Sequence, residues 1–390
     1  YFTFRTFHAF AFFINTNPSI NPISEFKSSR TTFDIPPMKI QNFQLQTIIP
    51  QQFDTIIDVR SPAEYSEDRI PGAINLPVLS DQERKIVGTL YKQESKLEAR
   101  KIGAKFVSDN ISKHLGGILA EKEDQWKVLI YCWRGGQRSK SLGIVLSEIG
   151  WQTYILDGGY KSYRRLIVDK LYEKHLENNV IVVSGYTGTG KTKVLGKLKK
   201  LGGQVIDLEE LANHRGSIFG SRSSRQPSQK EFESRIAKLL EKFSKNHPIF
   251  LESESNQIGY LKIPPSLWQK MKASPHIELY AKIEQRAEFL ISEYPELYEN
   301  PEGLLQKIKL LSGFHSKKQI LAWLNLAKKN QFQLLAQGLI TDHYDPKYGN
   351  ASNHKETSRR YRISINPRDS KNVTRVASSI LDKAFSEKIN

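Results

Sequence analysis

Cys132, the only cysteine among the 390 residues, lies where a nucleophile would be expected. It follows the apolar run Lys127–Tyr131 and precedes a segment with helical periodicity. Its loop reads Cys132-Trp133-Arg134-Gly135-Gly136-Gln137-Arg138. A loop between a strand and a helix start points backbone N–H groups and the positive end of the helix dipole at the sulfur. These groups, together with Arg134 and Arg138, lower a thiol pKa. The pattern predicts a reactive thiolate, and a buried space-filling cysteine is the alternative.

A second motif is typical of a phosphate-binding loop. It reads Gly185-Tyr186-Thr187-Gly188-Thr189-Gly190-Lys191-Thr192 and fits G-x-x-x-x-G-K-T. It lies between the apolar run Val180–Ser184 and a helical pattern, which is the context that the motif requires. Its glycines let backbone amides wrap phosphates, while Lys191 pairs with phosphate oxygens and Thr192 is a candidate Mg²⁺ ligand. The motif predicts binding of a di- or triphosphate, but it does not predict hydrolysis.

Carboxylates at later strand ends are the candidate partners of that Mg²⁺. Asp207 ends one predicted strand, and Glu252 and Glu254 lie at the end of another; solvated strand ends are the alternative. The polar segment between them holds three further candidates beside two glycines: His214, Arg215 and Ser217. These indicate either a functional loop or an ordinary polar one.

The elements that position these loops alternate between short apolar strands and helices. Alternation of this kind implies parallel pairing and an α/β fold. Thr55–Val59 and Thr153–Leu156 are predicted to flank the cysteine strand, whereas only helical patterns remain from Glu302 to about Leu339. We therefore predict an α/β protein with a parallel-sheet domain over 38–170, a P-loop NTPase-like α/β domain over 171–300, and a helical C-terminal region with a basic tail over 301–390.

Composition constrains the partners and the setting of the chain. The formal net charge of +17 predicts a polyanionic partner such as nucleic acid, with a solubilising surface as the alternative. A single cysteine suits a reducing compartment, and no apolar run reaches the length of about 20 residues that spans a bilayer, so we expect a cytoplasmic protein without a membrane partner. Residues 1–37 are expected to be an upstream or disordered extension, with Met38 as the true start.

Two segments resemble the front of a rhodanese domain, a fold whose cysteine carries sulfur as a persulfide. They read Asp58-Val59-Arg60-Ser61-Pro62-Ala63-Glu64-Tyr65 and Arg69-Ile70-Pro71-Gly72-Ala73-Ile74-Asn75. One departure matters, because rhodanese loops commonly place four residues between Cys and the closing Arg, whereas five separate Cys132 from Arg138. That spacing is also the phosphatase pattern, which holds a tetrahedral phosphate. Such phosphatases usually have His before the Cys, where this chain has Tyr131, but a phosphatase stays an alternative.

The combination of both domains resembles the family of tRNA 2-selenouridine synthases over about residues 50–350. The shared motifs are the cysteine loop, the segment 207–220, the run 251–259, and His343-Tyr344-Asp345-Pro346. The resemblance implies replacement of the sulfur of wobble 2-thiouridine in tRNA by selenium from selenophosphate, through an S-geranyl intermediate made from geranyl diphosphate. It implies tRNA and a selenophosphate synthase as partners and no tightly bound cofactor, while Mg²⁺ stays a candidate from the phosphate-loop motif alone. It also carries the selenium-bearing nucleophile onto Cys132, whose thiolate is expected to attack selenium and become an S-selanylcysteine.

Further roles follow from that resemblance. Arg134 and Arg138 are expected to hold the oxyanion, and Trp133 to stack on the base or line a geranyl pocket, with a packed loop aromatic as the alternative. We add the hypothesis that the P-loop binds the diphosphate of the geranyl donor, because the same amide cradle suits any pyrophosphate, with a nucleotide as the alternative. Lysines within 307–309 and 317–329 are candidate tRNA contacts, although solvated helix faces are the commoner explanation. Two other classes stay open: a sulfurtransferase with a regulatory nucleotide-binding domain, and a non-enzymatic binding module.

Overall fold

The computed structural model of the protein describes residues 39–216, 220, 224–346 and 360–386. The expectations for residues 1–37, for Met38 and for Ser217 therefore lie outside the described residues. Within the described ranges, no helix combines the length and the apolar character that crossing a bilayer requires.

The first domain is a five-stranded parallel sheet with the strand order β1-β5-β4-β2-β3. Its elements are β1 (Gln41–Phe43), β2 (Thr55–Asp58), α1 (Pro62–Glu67), β3 (Ala73–Asn75), α2 (Asp81–Gln93), α3 (Lys96–Leu115), β4 (Lys127–Tyr131), α4 (Gln137–Ile149), β5 (Gln152–Leu156) and α5 (Gly159–Val168). The central strand β4 reads KVLIY and is buried along almost its whole length, as expected for a strand covered on both faces. Its carboxyl end leads directly into the cysteine loop.

The second domain is another five-stranded parallel sheet, ordered β12-β11-β6-β8-β7. A π-helical turn, Asp169–Glu173, leads into it. Its first elements are β6 (Val180–Gly185), α6 (Lys191–Lys200), β7 (Gln204–Ile206), α7 (Leu208–Ala212), α8 (Gln229–Lys242), β8 (Ile249–Glu252), β9 (Gln257–Ile258), β10 (Leu261–Lys262), α9 (Pro265–Ala273), β11 (His276–Tyr280) and α10 (Ile283–Glu293). Strands β9 and β10 form a short antiparallel hairpin beside the sheet. The central strand β6 ends at the phosphate loop, so both predicted loops extend from the middle of a parallel sheet.

The helical C-terminal part is confirmed, and the structure adds a strand to it. The remaining elements are α11 (Pro295–Glu299), α12 (Pro301–Lys309), α13 (Lys317–Lys328), α14 (Phe332–Leu339), β12 (Arg360–Ser364) and α15 (Ser370–Phe385). Helices α12 to α14 enclose a small core around Trp323. Strand β12 instead pairs with β11, and α15 packs against α6, so the end of the chain returns to the second sheet. The sequence RYRIS did not reveal β12, because the strand has only five residues and lies in a polar stretch of the chain.

The two domains share one apolar core. Its largest cluster joins Leu129 and Tyr131 of β4 to Phe232 and Ile236 of α8. A polar contact supplements it, since Ser234 of α8 donates a hydrogen bond to the buried carboxylate of Asp68, 3.0 Å from its Oδ2. The predicted fold class is confirmed, and the shared core holds the two sheets together.

Candidate active site

The sulfur of Cys132 lies in a cluster of hydrogen-bond donors at the start of α4. The Gly136 amide donates to Sγ over 3.2 Å, and the Ser139 hydroxyl lies 3.3 Å from it. The side chain is only 4% exposed. Burial raises the pKa of Cys132, but hydrogen bonds from Ser139 and from the amides of Arg134, Ser139 and Gly136 outweigh burial, so the pKa is lowered. The site therefore favours a thiolate.

The guanidinium groups of the loop arginines are not among the main causes of the lowered thiol pKa, and their expected role toward an oxyanion stays a prediction. Arg138 donates to Glu64 Oε2 over 2.8 Å, and Arg84 lies 3.1 Å from the same oxygen. Arg134 is exposed. The groups that lower the thiol pKa are the hydroxyl and backbone amides named above. Sequence reasoning missed Ser139 and Glu64; the available signal for Ser139 was its position directly after Arg138, in the first turn of α4.

The turn after β5 braces the cysteine loop. The Tyr160 amide donates to the Cys132 carbonyl over 2.8 Å, and the Lys161 amide to that of Trp133 over 3.1 Å. Gly159 has φ +58°, and a Cβ there would overlap the Cys132 carbonyl oxygen. The Trp133 ring lies half-buried, 5.3 Å from the Tyr160 ring. This placement favours the packed-aromatic interpretation of Trp133.

Ser139→Ala is expected to raise the pKa of Cys132, because it removes a donor to the sulfur while leaving the loop amides. The measurement is the rate of iodoacetamide alkylation against pH, which reports on Cys132 alone since the chain has no other cysteine. The midpoint should move to higher pH in the variant. Ser141→Ala is the matched control, because the Ser141 hydroxyl donates to the Gln137 carbonyl and not to the sulfur. An unchanged midpoint in Ser139→Ala would mean that the amides alone set the pKa.

The phosphate loop adopts the backbone that its glycines predict. Gly188 and Gly190 have φ of +86° and +80°, in the left-handed region that favours glycine. The Lys191 ammonium donates to the Gly185 carbonyl over 2.9 Å and so lies across the loop. Helix α6 begins at Lys191, so its first amides face the same space. Backbone, ammonium and helix start together form an anion cradle.

Crowded carboxylates lie beside this cradle. Burial and the neighbouring acids Asp207, Glu209 and Glu254 raise the pKa of Glu252, and burial together with Glu209 raises the pKa of Glu254 to about 8. The Glu209 amide donates to Glu252 Oε1 over 2.8 Å, whereas Oε2 of this buried side chain has no hydrogen-bond partner among the described residues. Asp207 is used as the cap of α7, accepting from the Glu210 amide over 2.7 Å.

The residues present fit a magnesium ion held mainly by phosphate. Thr192 Oγ1 lies 3.4 Å from Glu209 Oε2, a carboxylate that sequence reasoning did not select. No three His, Cys, Asp or Glu side chains in the described part of the chain form a metal-ligand group. Mg²⁺ commonly binds through one or two protein oxygens together with substrate phosphates, so Thr192 and Glu209 are the residues that would hold it.

The predicted polar loop touches the acidic cluster through its backbone. A Cβ on Gly216 would lie 2.7 Å from Glu254 Oε2. Arg215 points instead to α11 and the residue before it, with its guanidinium 2.6 Å from Glu296 Oε1 and over the Tyr294 ring. His214 Nδ1 accepts from the Gly216 amide over 3.1 Å. The structure thus brings the loop to the phosphate site without directing the Arg215 side chain into it.

Arg286, also missed from the sequence, supports the phosphate loop from behind. Its Nε donates to the Thr187 carbonyl over 2.8 Å, and its two terminal nitrogens lie 2.9 and 2.5 Å from the carboxylate oxygens of Asp345. The guanidinium is almost fully buried. A buried bidentate pair of this kind holds a fixed geometry, so Asp345 positions Arg286 and Arg286 positions the loop.

Arg286→Ala is expected to destabilise the fold by about 1–3 kcal/mol and to weaken phosphate binding further. It leaves the Asp345 carboxylate and the Thr187 carbonyl without their donor. Thermal unfolding with and without inorganic pyrophosphate measures both effects. Arg286→Lys is the control, since lysine keeps the charge but cannot make the two parallel hydrogen bonds of a guanidinium. The positioning role fails if pyrophosphate raises the Tm of Arg286→Ala as much as that of the native chain.

Comparison with known proteins matches each of the two domains to a protein-family model. A model described as the tRNA 2-selenouridine synthase AAA domain matches residues 178–378, and one described as a rhodanese-like domain matches residues 44–166. The tRNA 2-selenouridine synthase of Pseudomonas syringae pv. tomato is 33% identical over 336 residues, covering 77% of this chain and 89% of the relative. That of Bdellovibrio bacteriovorus is 35% identical over 352 residues, covering 78% and 90%. The two matched segments follow the order of the two sheets.

Proposed function

The chain belongs to the tRNA 2-selenouridine synthase family, and from this we propose that it replaces the sulfur of wobble 2-thiouridine in tRNA by selenium. Selenophosphate would be the selenium donor, supplied by a selenophosphate synthase, and geranyl diphosphate would supply the S-geranyl group of the intermediate. The observation that carries this proposal is the donor-surrounded Cys132 thiolate, joined through one shared core to a phosphate cradle. A plain sulfurtransferase has no need of the cradle.

The geranyl step uses the phosphate loop. The sulfur of 2-thiouridine attacks C1 of geranyl diphosphate, the C–S bond forms, the C–O bond breaks, and the electron pair leaves on diphosphate. N3 of the base releases its proton to water, which keeps the S-geranylated base neutral. The loop amides, Lys191 and the start of α6 stabilise that growing negative charge. Mg²⁺ on Thr192 and Glu209 would neutralise part of it. The step needs no protein nucleophile, because the tRNA sulfur supplies the electron pair.

Selenophosphate offers the Cys132 thiolate two atoms, and the electron balance distinguishes them. Attack on selenium gives S-selanylcysteine and leaves the Se–P electron pair on phosphorus, which must depart as phosphite. Attack on phosphorus gives S-phosphocysteine and releases the pair on selenium as selenide, without any change of oxidation state. The five-residue loop spacing, shared with phosphatases, suits a tetrahedral phosphoryl group. We therefore propose attack on phosphorus in place of the S-selanylcysteine expected from the sequence.

The remaining bonds then balance with water as the only co-reactant. Selenide attacks C2 of the S-geranylated base, the C2–Se bond forms, and the C2–S bond breaks. Geranylthiolate leaves and takes a proton, while water cleaves the S–P bond and regenerates the Cys132 thiolate with release of phosphate. Phosphorus NMR of a single turnover tests the route, since phosphate is expected and phosphite would show attack on selenium.

The function itself is tested by product mass. The native chain is incubated with 2-thiouridine tRNA and selenophosphate, with and without geranyl diphosphate, and the digested nucleosides are weighed by mass spectrometry. A 2-selenouridine product that depends on geranyl diphosphate is expected. Thiosulfate-to-cyanide sulfur transfer with no change in the tRNA would instead establish the sulfurtransferase alternative, which the rhodanese-like match keeps in view.

A further inference from the structure

The helix that begins at the phosphate loop has a strongly basic outer face. Helix α6 reads KTKVLGKLKK, with five lysines and no acidic residue. Three apolar residues bury its inner face: Val194, Leu195 and Leu198. Four outward residues are spaced as i, i+3, i+4 and i+7, so they form one stripe: Lys193, Gly196, Lys197 and Lys200.

This stripe forms one wall of a surface cavity of about 320 Å³. The opposite wall is the turn before α15 and its first residues, Pro367, Arg368, Ser370 and Val373. Lys193 pairs with Glu293 at 3.0 Å and Arg368 with Glu288 at 2.8 Å, both on exposed surface. No ion pair holds Lys197 or Lys200 among the residues that the structure describes. The cavity therefore has positive charge beyond what the two neighbouring glutamates neutralise.

Gly196 has no structural reason to be glycine. It is exposed in the middle of α6, where glycine destabilises a helix relative to alanine. A Cβ at this position would meet no atom within 4 Å, so the fold does not require its absence. Because Gly196 has no side chain, a bare strip of helix backbone lies exposed between the lysines. A partner's backbone can approach closely there.

We propose that the tRNA sugar–phosphate backbone docks in this groove, an inference that rests on the proposed function. Lysines act as flexible point charges, which suits phosphates that position a nucleic acid without reading its bases. A small diphosphate has its own amide cradle at the start of α6, whereas the groove runs along the side of the helix and offers side-chain charge and a bare helix strip. Because α6 is only about 15 Å long, a backbone held here lies within reach of the phosphate loop. The groove thus anchors the tRNA next to the geranyl donor.

Gly196→Ala provides a test in which stability and binding move in opposite directions. The variant should unfold at a higher temperature than the native chain, because alanine favours the helix, yet bind tRNA more weakly, because its methyl group fills the strip. Binding is measured with a fluorescently labelled full-length tRNA transcript by anisotropy on the full chain. Equal or tighter tRNA binding by a stabilised Gly196→Ala variant overturns the close-approach argument.

The lysines are tested by salt dependence. Lys197→Ala with Lys200→Ala should reduce the slope of log affinity against log salt by roughly 1 per lysine. Lys199→Ala is the matched control, since Lys199 is exposed on the same helix but does not line the cavity. Unchanged slopes in a chain that still modifies tRNA would overturn the groove and leave the function standing. Groove-dependent tRNA binding without any modified nucleoside would support the groove and contradict the proposed function. Loss of pyrophosphate binding in the lysine variants, with tRNA binding intact, would reassign the groove to a small anion.

Discussion

Cys132→Ser is expected to reduce selenation of tRNA on the order of 10³-fold or more, while S-geranylated tRNA accumulates. Serine keeps nearly the same shape among the donors from Gly136 and Ser139, but its hydroxyl does not ionise where a thiol with a lowered pKa does. In the proposed route the geranyl step continues, because its nucleophile is the tRNA sulfur. Mass spectrometry of the digested nucleosides, from reactions that contain both donors, measures the two products separately.

Two further variants are controls for this result. Cys132→Ala removes the nucleophile without adding a hydroxyl, and it should match Cys132→Ser in selenation. Ser139→Ala keeps the thiol, so its selenation should be reduced near neutral pH and recover as the pH rises through the higher pKa of its thiol. Each variant should retain its fold, checked by its unfolding temperature. Selenation by Cys132→Ser within about tenfold of native, too small a loss for a covalent nucleophile, would exclude Cys132 from that role.

Lys191→Ala is expected to reduce geranylation by about 10²- to 10³-fold, the typical cost of removing one preorganised donor to a developing charge. Its ammonium lies across the loop, 2.9 Å from the Gly185 carbonyl, where the diphosphate of the donor would meet it. The variant should also fail to make 2-selenouridine from 2-thiouridine tRNA, because the intermediate is missing. Geranylated nucleoside formed per minute is the quantity to measure.

Pre-geranylated tRNA separates the two sites. Lys191→Ala should selenate it at near-native rate, since that step uses Cys132, whereas Cys132→Ser should not. Lys199→Ala is the control for charge on α6 and should geranylate normally. A Lys191→Ala variant that geranylates normally but loses selenation would contradict the assignment of the P-loop to the geranyl donor. Specific ATP turnover stimulated by tRNA in the native chain would contradict it too.

A mixture of the Cys132→Ser protein and the Lys191→Ala protein also tests whether one molecule performs both steps in sequence. Mixed as two separate proteins, they should restore 2-selenouridine only if geranylated tRNA dissociates from one and binds the other. The shared core of the two domains gives both sites a fixed spacing in a single chain. Restoration in the mixture at the native rate would show that release of the intermediate does not limit the reaction.

Much of the site was predictable because its central residues are consecutive. The cysteine loop and the phosphate loop each follow an apolar strand and open a helix, and both patterns are local. The parallel α/β class followed from the same alternation of strands and helices. Strand β12 was missed although its polar and apolar residues alternate as in a half-buried strand, because five residues in a polar stretch are too few to identify it and only its pairing with β11 reveals it.

The sequence by itself determined which two backbone loops are the candidate anion sites and which residue is the candidate nucleophile, since a motif of seven or eight neighbours specifies a loop. Only the tertiary structure decided which side chains complete them. Thr192 meets Glu209 from 17 residues away, Arg286 meets Asp345 from 59, and the basic groove joins α6 to a helix that begins at Ser370. Such meetings depend on how elements pack, and the packing energy is spread over the apolar core. For the same reason the sequence did not reveal that Arg138, which the motif assigned to the anion, is paired with Glu64.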